Sequence, residues 1–460
     1  MKAGFPYITR RRFLADSTKA VSALAVAPAL LAGAEADGER RRLAANDKIN
    51  IAFIGVAGRG DDNIREITGA EELNVVALCD VDETNLDAAG VKFPGAKKYR
   101  DYRKLIEGEK SLDAVVISTP DHHHASATML ALKAGKHVYC EKPLTRTVKE
   151  ARLIAQAARE SKVATQMGNQ GMAFEGNRFL IEWLADGCIG EVREVHAWSD
   201  RPTHGGKPEL YWAQGIERPV DTPTVPATLD WDLWLGPAPQ RPYHPAYVPF
   251  KWRGWWDFGS GGLGDMGIHN IAPIFATLKL GAPTSVSASS TPVFSETVPL
   301  ASTVHFEFPA REGMPPVRLH WYDGGIMPPR PDELAEGEEL KRWDGCIFVG
   351  DKGKILVDGW GGESPRLIPQ SRDKEYQRPP KVLARSAGHH KEWLLACRNG
   401  SATRSNFDFA GPLTEAVLLG MVCVRNGGDK LDWDSANLKI TNEPEANRFL
   451  HYEYRKGWEL

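Results

Sequence analysis

Lys142, Asp265 and His269 are the side chains in this sequence best suited to moving a proton at a reacting oxygen. Lys142 lies in Glu141-Lys142-Pro143, directly after the apolar run His137-Val138-Tyr139-Cys140. A lysine at a strand end, followed by a proline that fixes the turn, is held at an edge rather than trailing in solvent. Asp265 and His269 are spaced i, i+4, which puts them on one face if the segment is helical. An imidazole titrates at about 6.5 when unperturbed, so His269 suits the base that takes a hydroxyl proton while hydride leaves the same carbon. Asp265 either orients that imidazole or holds a substrate hydroxyl. Lys142 polarises the oxygen or shares its proton, and its charge favours the developing alkoxide. Asn169 and Gln170, just beyond an apolar strand, are candidates for reaching the substrate.

These groups need a frame, and residues 48–168 supply one. Apolar runs at Ile49–Ile54, Val75–Cys79, Ala114–Ile117, His137–Cys140 and Ala164–Met167 alternate with helical stretches such as Ser126–Ala134 and Val148–Ser161. Continuous apolar strands separated by helices predict a parallel sheet covered on both faces. The first run ends in Gly55-Val56-Ala57-Gly58-Arg59-Gly60. Against the pattern G-x-G-x-x-G, Gly55 and Gly60 match and Ala57 replaces the middle glycine, with Gly58 restoring local freedom. Such a turn, opening a helix whose N-terminal N–H groups are free, cradles a pyrophosphate, and Arg59 belongs to the same turn. Asp80 ends the second strand, where an acid accepts hydrogen bonds from ribose hydroxyls and would repel a 2′-phosphate. The expected cofactor is therefore NAD rather than NADP. Thr119-Pro120, at the carboxyl end of the third run, should line the same crevice, with His124 facing it. Asp82 reads as a solvated loop residue. Three consecutive histidines, His122 to His124, point in different directions and lack a spaced carboxylate or cysteine partner, so no metal site is expected.

Beyond Gly168 the pattern changes. Val192–Trp198, Thr303–Phe308, Val317–Tyr322, Cys346–Val349 and Lys354–Val357 read as strands of a second sheet. Several alternate apolar and polar residues, so one face is either wet or paired with another subunit. Residues 199–256 form a long insertion with ten prolines and, counting Trp198, seven tryptophans. That aromatic content argues against disorder, and a loop of this length in a compact domain is usually functional. Helical spacing returns from His389.

The chain has 460 residues with a formal charge of −3. Residues 1–36 carry five basic and two acidic side chains, so the remainder is more acidic than the whole, which argues against a nucleic-acid partner. Thr9-Arg10-Arg11-Arg12-Phe13-Leu14, an Ala-rich apolar run and the A-x-A sites ending at Ala34 and Ala36 resemble a twin-arginine export signal. The apolar run is too short for a stable membrane span. Residues 37–47 read as a linker. The six cysteines show no metal spacing, and Cys79 and Cys140 read as small buried hydrophobes.

The glycine turn, Thr119-Pro120 with His124, Gly135-Lys136-His137-Val138 running into Glu141-Lys142-Pro143, Gly187-x-Ile189-Gly190-x-Val192 and Gly264-Asp265-x-Gly267-x-His269 together resemble the glucose-fructose oxidoreductase / inositol dehydrogenase (Gfo/Idh/MocA) family. The likeness spans residues 48–270. With the export signal, the tryptophan-rich insertion and Gly388-His389-His390, it is similar to an exported branch of that family. The resemblance implies an α/β fold: a Rossmann domain, then an α/β domain over 169–460 with an open, largely antiparallel sheet. It implies that Lys142 stands beside the nicotinamide with Asp265 and His269 facing it, and that Glu141, at the cofactor, helps place the lysine. It further implies an NAD-dependent oxidoreductase acting on a sugar, glycoside or cyclic polyol. Two alternatives stay open: a glycosidase or lyase that oxidises the sugar transiently, and a sugar-binding protein without chemistry. Outside the cytoplasm there is no evident NAD pool, so the nucleotide is expected to be tightly bound, and a homo-oligomer through the second sheet is expected.

Overall fold

The computed structural model describes residues 47–460, apart from Gly206 and Pro208. The stretch expected to be an export signal and nearly all of the expected linker lie outside the described residues. Six strands, β1 (Asn50–Ile54), β2 (Asn74–Cys79), β3 (Lys97–Tyr99), β4 (Ala114–Ile117), β5 (His137–Glu141) and β6 (Thr165–Gly168), form one sheet in the order 3-2-1-4-5-6. Every pairing in it is parallel. The helices α1 (Arg59–Ala70), α2 (Glu83–Lys92), α3 (Tyr102–Gly108), α4 (Asp121–Lys133) and α5 (Val148–Ser161) connect the strands. This is the doubly wound order in which the chain reverses direction beside β1, opening a crevice at the carboxyl ends of the strands. The central strands form where the sequence is apolar, and β1, β4 and β5 are almost wholly buried.

Nine further strands form a second sheet: β7 (Val192–Ser199), β8 (Ser285–Ser290), β9 (Ser302–Phe308), β10 (Val317–Tyr322), β11 (Asp344–Gly350), β12 (Gly353–Asp358), β13 (Pro365–Ile368), β14 (Leu431–Asp434) and β15 (Lys439–Ile440). Their order is 13-12-11-7-10-9-8-14-15. Only β7 and β10 pair in parallel, so the sheet is mixed and largely antiparallel. On its inner face Val304 and Phe306 press against Gly420 of the helix Phe407–Arg425. That helix is apolar and long enough to cross a membrane, yet it is 83% buried in the fold and serves as core. It also lies on α5, where Gly411 approaches Ala155 so closely that an added Cβ would stand 2.6 Å from the alanine methyl.

Two late features matter for the site. The insertion makes its own aromatic cluster from Trp231, Trp234, Tyr247, Trp252, Trp255 and Phe258. The helix His389–Asn399 returns to the first sheet and buries Trp393, Leu394 and Cys397 against Ile49, Ile51 and Phe53 of the β1 region and Ile64 of α1. All six cysteines are free and buried.

Candidate active site

The carboxyl ends of β1, β2, β4 and β5 open into a crevice of about 1380 Å³. A single small-ligand site usually measures about 300–1,000 Å³, so this one has room for a dinucleotide and a substrate together. At its floor Gly58 takes φ 53°, a left-handed backbone that glycine adopts without strain, and a Cβ there would meet nothing within 4 Å. The turn is therefore open toward the crevice, and α1 begins there with no side-chain cap on its first N–H groups. Gly60 serves a different purpose. A Cβ on it would stand 2.0 Å from the Gly55 carbonyl oxygen, so it permits helix and turn to pack, and it does not line the crevice. Gly55, Ala57, Gly58 and Arg59 do line it. These features fit a bound dinucleotide.

Asp80 lines the crevice with both carboxylate oxygens engaged. One accepts from the Val56 N–H at 3.0 Å and the other from the Asp82 N–H at 2.9 Å. Burial pushes its carboxyl up, and these bonds oppose that shift. Asp82 also lines the crevice and caps α2 through the Thr84 N–H at 3.0 Å, so it is not the solvated loop residue expected.

Thr119 and Pro120 line the crevice as expected, but His124 does not. Helix α4 begins at Asp121, and its phase turns the His124 ring behind the wall. There Nδ1 donates to the Pro143 carbonyl at 2.7 Å and Nε2 to the Thr119 carbonyl at 2.9 Å. Two carbonyl acceptors require both ring nitrogens to carry hydrogen, so the ring is an imidazolium. Burial opposes that charge, but Cys140, Asp121 and the carbonyl contacts outweigh it and raise the pKa to about 10. His124 thus ties the two turns that carry Thr119 and Lys142. His122 and His123 both bond the Trp234 carbonyl, at 2.9 and 2.8 Å.

The three proton-transfer candidates meet in one wall. Asp265 lies in a single π turn, Leu263–Gly267, that runs into the helix Ile268–Thr277 carrying His269. Lys142 bonds Asp265 directly, and the peptide between Lys142 and Pro143 is cis. Arg253 Nε stands 3.5 Å and Arg201 Nε 3.7 Å from the same carboxylate. Burial would raise the Asp265 carboxyl, yet Lys142, Arg253 and Arg201 together hold it well below the usual carboxylate range. Burial first, and the Lys142 charge second, push His269 well below the ordinary imidazole value, so it is neutral at pH 7. Its ring stands edge-on to Trp360 with centroids 5.1 Å apart, and its buried Nδ1 has no hydrogen-bond partner among the described residues.

Glu141 does not place the lysine. Its Oε1 accepts from Arg59 at 3.2 Å, Asn63 at 2.9 Å and Gln170 at 2.9 Å. Gln170 spends its other amide hydrogen on the Tyr139 hydroxyl at 2.9 Å, so it lines the crevice with its donors already used. Asn169 is buried outside the crevice lining, and its side-chain amide finds no partner among the described residues.

Sequence reasoning missed the two arginines, Trp360 and two acids. Arg201 and Arg253 bracket the insertion, where no motif marks them. Asp121 lines the crevice and accepts from Ser260 at 2.9 Å; burial pushes its carboxyl up to about 6 against the pull of His124, Arg253 and Lys142. Asp344 also lines it, accepts from Asn270 at 2.9 Å and is pushed up to about 7 by burial. The signal available for Asp121 was its place beside Pro120 at a strand end, where the crevice was expected.

Residues 49–169 match a family model described as "oxidoreductase family, NAD-binding Rossmann fold", and residues 203–308 match the same family's C-terminal alpha/beta domain. The chain belongs to the Gfo/Idh/MocA oxidoreductase family. Inositol 2-dehydrogenase of Salmonella paratyphi B is 30% identical over 151 residues, 32% of this chain and 45% of the relative. A glycosyl hydrolase family 109 protein of Shewanella putrefaciens is 29% identical over 156 residues, 32% of this chain and 34% of that protein. The chain thus spans less than half the length of these two curated relatives. The structure of the WlbA dehydrogenase from Bordetella pertussis, in complex with NADH and UDP-GlcNAcA, superposes with a TM-score of 0.59 at 16% identity. That match covers 84% of this chain and 99% of the other, and it shows a shared fold.

Proposed function

We propose that this Gfo/Idh/MocA protein is an NAD-dependent oxidoreductase that transfers hydride to or from a hydroxyl-bearing carbon of a sugar, glycoside or cyclic polyol. The observation that carries the reading is the convergence of Lys142, Asp265 and neutral His269 in the wall of a crevice floored by the glycine turn. Gly55, Ala57, Gly58 and Arg59 would hold the pyrophosphate, and Asp80 with Asp82 the ribose side. The bound nicotinamide would supply the hydride acceptor or donor. In the oxidising direction His269, uncharged because it is buried, takes the hydroxyl proton. Lys142 donates to the same oxygen and stabilises its negative charge as the carbon–hydrogen bond breaks. Asp265, fixed by Arg201 and Arg253, holds Lys142 in place. The inositol 2-dehydrogenase relative supports a ring-shaped polyol as the substrate class.

The arginine pair near the N-terminus supports export after folding, and export supports a nucleotide that is acquired first and then retained. Homo-oligomerisation through the nine-stranded sheet belongs to the same reading. The test is to purify the mature protein without added cofactor, dialyse it extensively, and measure bound nucleotide and particle mass. It is then screened against sugars, glycosides and cyclic polyols by nicotinamide absorbance. Near-stoichiometric NAD and a reduced-nicotinamide signal with one substrate class support the reading; an empty protein that exchanges NAD freely would overturn the retained-cofactor part. The family 109 relative favours a second reading, glycoside cleavage through transient oxidation and re-reduction. Release of the aglycone with no lasting change in nicotinamide absorbance would select it.

A further inference from the structure

The nine-stranded sheet carries a row of polar side chains on the face turned away from the helix Phe407–Arg425. In β7, Val195 and Ala197 are buried in the core, so Glu194 and His196 point the other way. The same alternation in β9 and β10 puts His305 between Val304 and Phe306, and His320 between Leu319 and Trp321. The register then aligns them: His320 lies opposite His196 on one side and His305 on the other. Three histidines and a glutamate from strands far apart in sequence share one patch of this face, beside the Arg318–Glu307 ion pair.

Their geometry is specific. The His196 and His320 rings are nearly parallel, 18° apart with centroids at 5.0 Å. Both Nε2 atoms meet one carboxylate oxygen, Glu194 Oε1, at 3.1 Å from His196 and 3.4 Å from His320. All three donor atoms lie within 4.8 Å of one another. Zinc takes imidazole nitrogen and carboxylate oxygen at about 2.0–2.2 Å, so a tetrahedron of such ligands has edges of roughly 3.3–3.5 Å. The two measured separations are close to those edges. The opposite ring nitrogens are also anchored. His196 Nδ1 meets the Tyr322 hydroxyl at 3.0 Å, and His320 Nδ1 meets His305 Nδ1 at 2.5 Å. With Nδ1–H donating outward in each ring, both Nε2 lone pairs face Glu194, which is the arrangement that outer partners impose on metal-bound histidines.

We propose that Glu194, His196 and His320 form a binding site for a divalent borderline metal ion, zinc above all, with Tyr322 and His305 orienting the two imidazoles. Two nitrogens and one carboxylate oxygen suit zinc better than the hard cations magnesium and calcium, which prefer oxygen alone. The Glu194 side chain is 43% exposed in the single chain, so an ion can reach the three donors from that face. The site lies outside the crevice lining and clamps β7 to β10 in the middle of the sheet.

The test uses the full mature chain, stripped with a chelator and titrated with zinc by calorimetry and with cobalt by visible absorption. The expected result is one ion per chain and an intense, tetrahedral-type cobalt spectrum. The double variant His196→Ala/His320→Ala should bind at least 100-fold more weakly and lose that spectrum. Glu194→Gln, a shape-conserving change at a half-exposed position, should weaken binding and change the spectrum even if the double variant fails to fold. Tyr322→Phe and His305→Ala should each weaken binding by about 10- to 100-fold, as loss of an outer partner does. Wild-type protein that binds zinc no more tightly than Glu194→Gln, or a cobalt spectrum unchanged in that variant, would overturn the proposal.

Discussion

Asp265→Asn tests the electrostatics of the crevice most directly. The carboxylate is the shared counter-charge for Lys142, Arg253 and Arg201, and its side chain is only 12% exposed. The amide keeps the shape but removes the charge that Lys142 and Arg253 face, and leaves Arg201 with its other partner, Asp200, at 2.8 Å. Lys142→Met, by contrast, removes one cation and leaves the carboxylate with two arginines. Stripping a buried charge of its partner costs about 3–5 kcal/mol, so Asp265→Asn should fall in that range. Lys142→Met forfeits one charge-assisted hydrogen bond and should cost about 2 kcal/mol at most. In urea, with a slope near the upper usual value of about 3 kcal/mol per molar, the Asp265→Asn midpoint should drop by about 1–1.7 M and the Lys142→Met midpoint by about half as much. The pH dependence has a definite sign. A carboxyl depressed in the folded state contributes stability above its unfolded pKa of about 3.9 and loses it as pH falls through the folded value. The gap between wild type and Asp265→Asn should therefore hold from pH 5 to 8 and shrink in stronger acid. Equal midpoint shifts for the two variants, followed by tryptophan fluorescence, would refute the idea that one carboxylate restrains three cations.

Lys142→Ala should lower turnover by about a hundredfold or more, the range usual for a proton-transfer group, with nucleotide binding almost unchanged by calorimetry. Asp80→Ala should weaken NAD binding and narrow the preference over NADP; a wild-type protein that binds NADP more tightly would show that the acid serves only the backbone of Val56 and Asp82. His124 has a pKa raised to about 10 in the fold, so its contribution is full below about 6.5 and lost as pH climbs toward 10; His124→Gln should flatten that alkaline decline in melts between pH 7 and 10. Asp344, pushed up to about 7 by burial, destabilises the fold once charged, so Asp344→Asn should melt higher than wild type at pH 8, with the advantage vanishing below about pH 4.

The parallel sheet was legible because its strands are continuous apolar runs, and β4 was read with its observed limits. The strands that escaped lack that signal. β3 is Lys-Lys-Tyr at a sheet edge, and β8 has four serines in six residues. Lys142, Asp265 and His269 were readable because each stands at a strand end or on a helical spacing. Arg201 and Arg253 were not, since their partner Asp265 is distant or unrelated by any repeat, and only folding of the insertion brings them to it. His124 was assigned to the wrong side of its helix because three consecutive histidines leave the phase open until the first residue of α4 is known. Glu141 was adjacent to the lysine in sequence, but neighbours on a strand point to opposite faces, and Glu141 turned to Arg59.

The helix His389–Asn399 covers apolar residues of the β1 region and α1 that emerge more than three hundred positions earlier. During synthesis at about 5–20 residues per second, those residues wait roughly 20–70 s for their cover. The nucleotide-binding half is thus not a free-standing module. Cut after β6, it would present Ile49, Ile51, Phe53 and Ile64 to water and tend to aggregate. Contacts of such sequence separation also slow folding, so the chain should depend on a holding chaperone until its last quarter is made, and swapping this half into another scaffold should fail unless the distant helix travels with it.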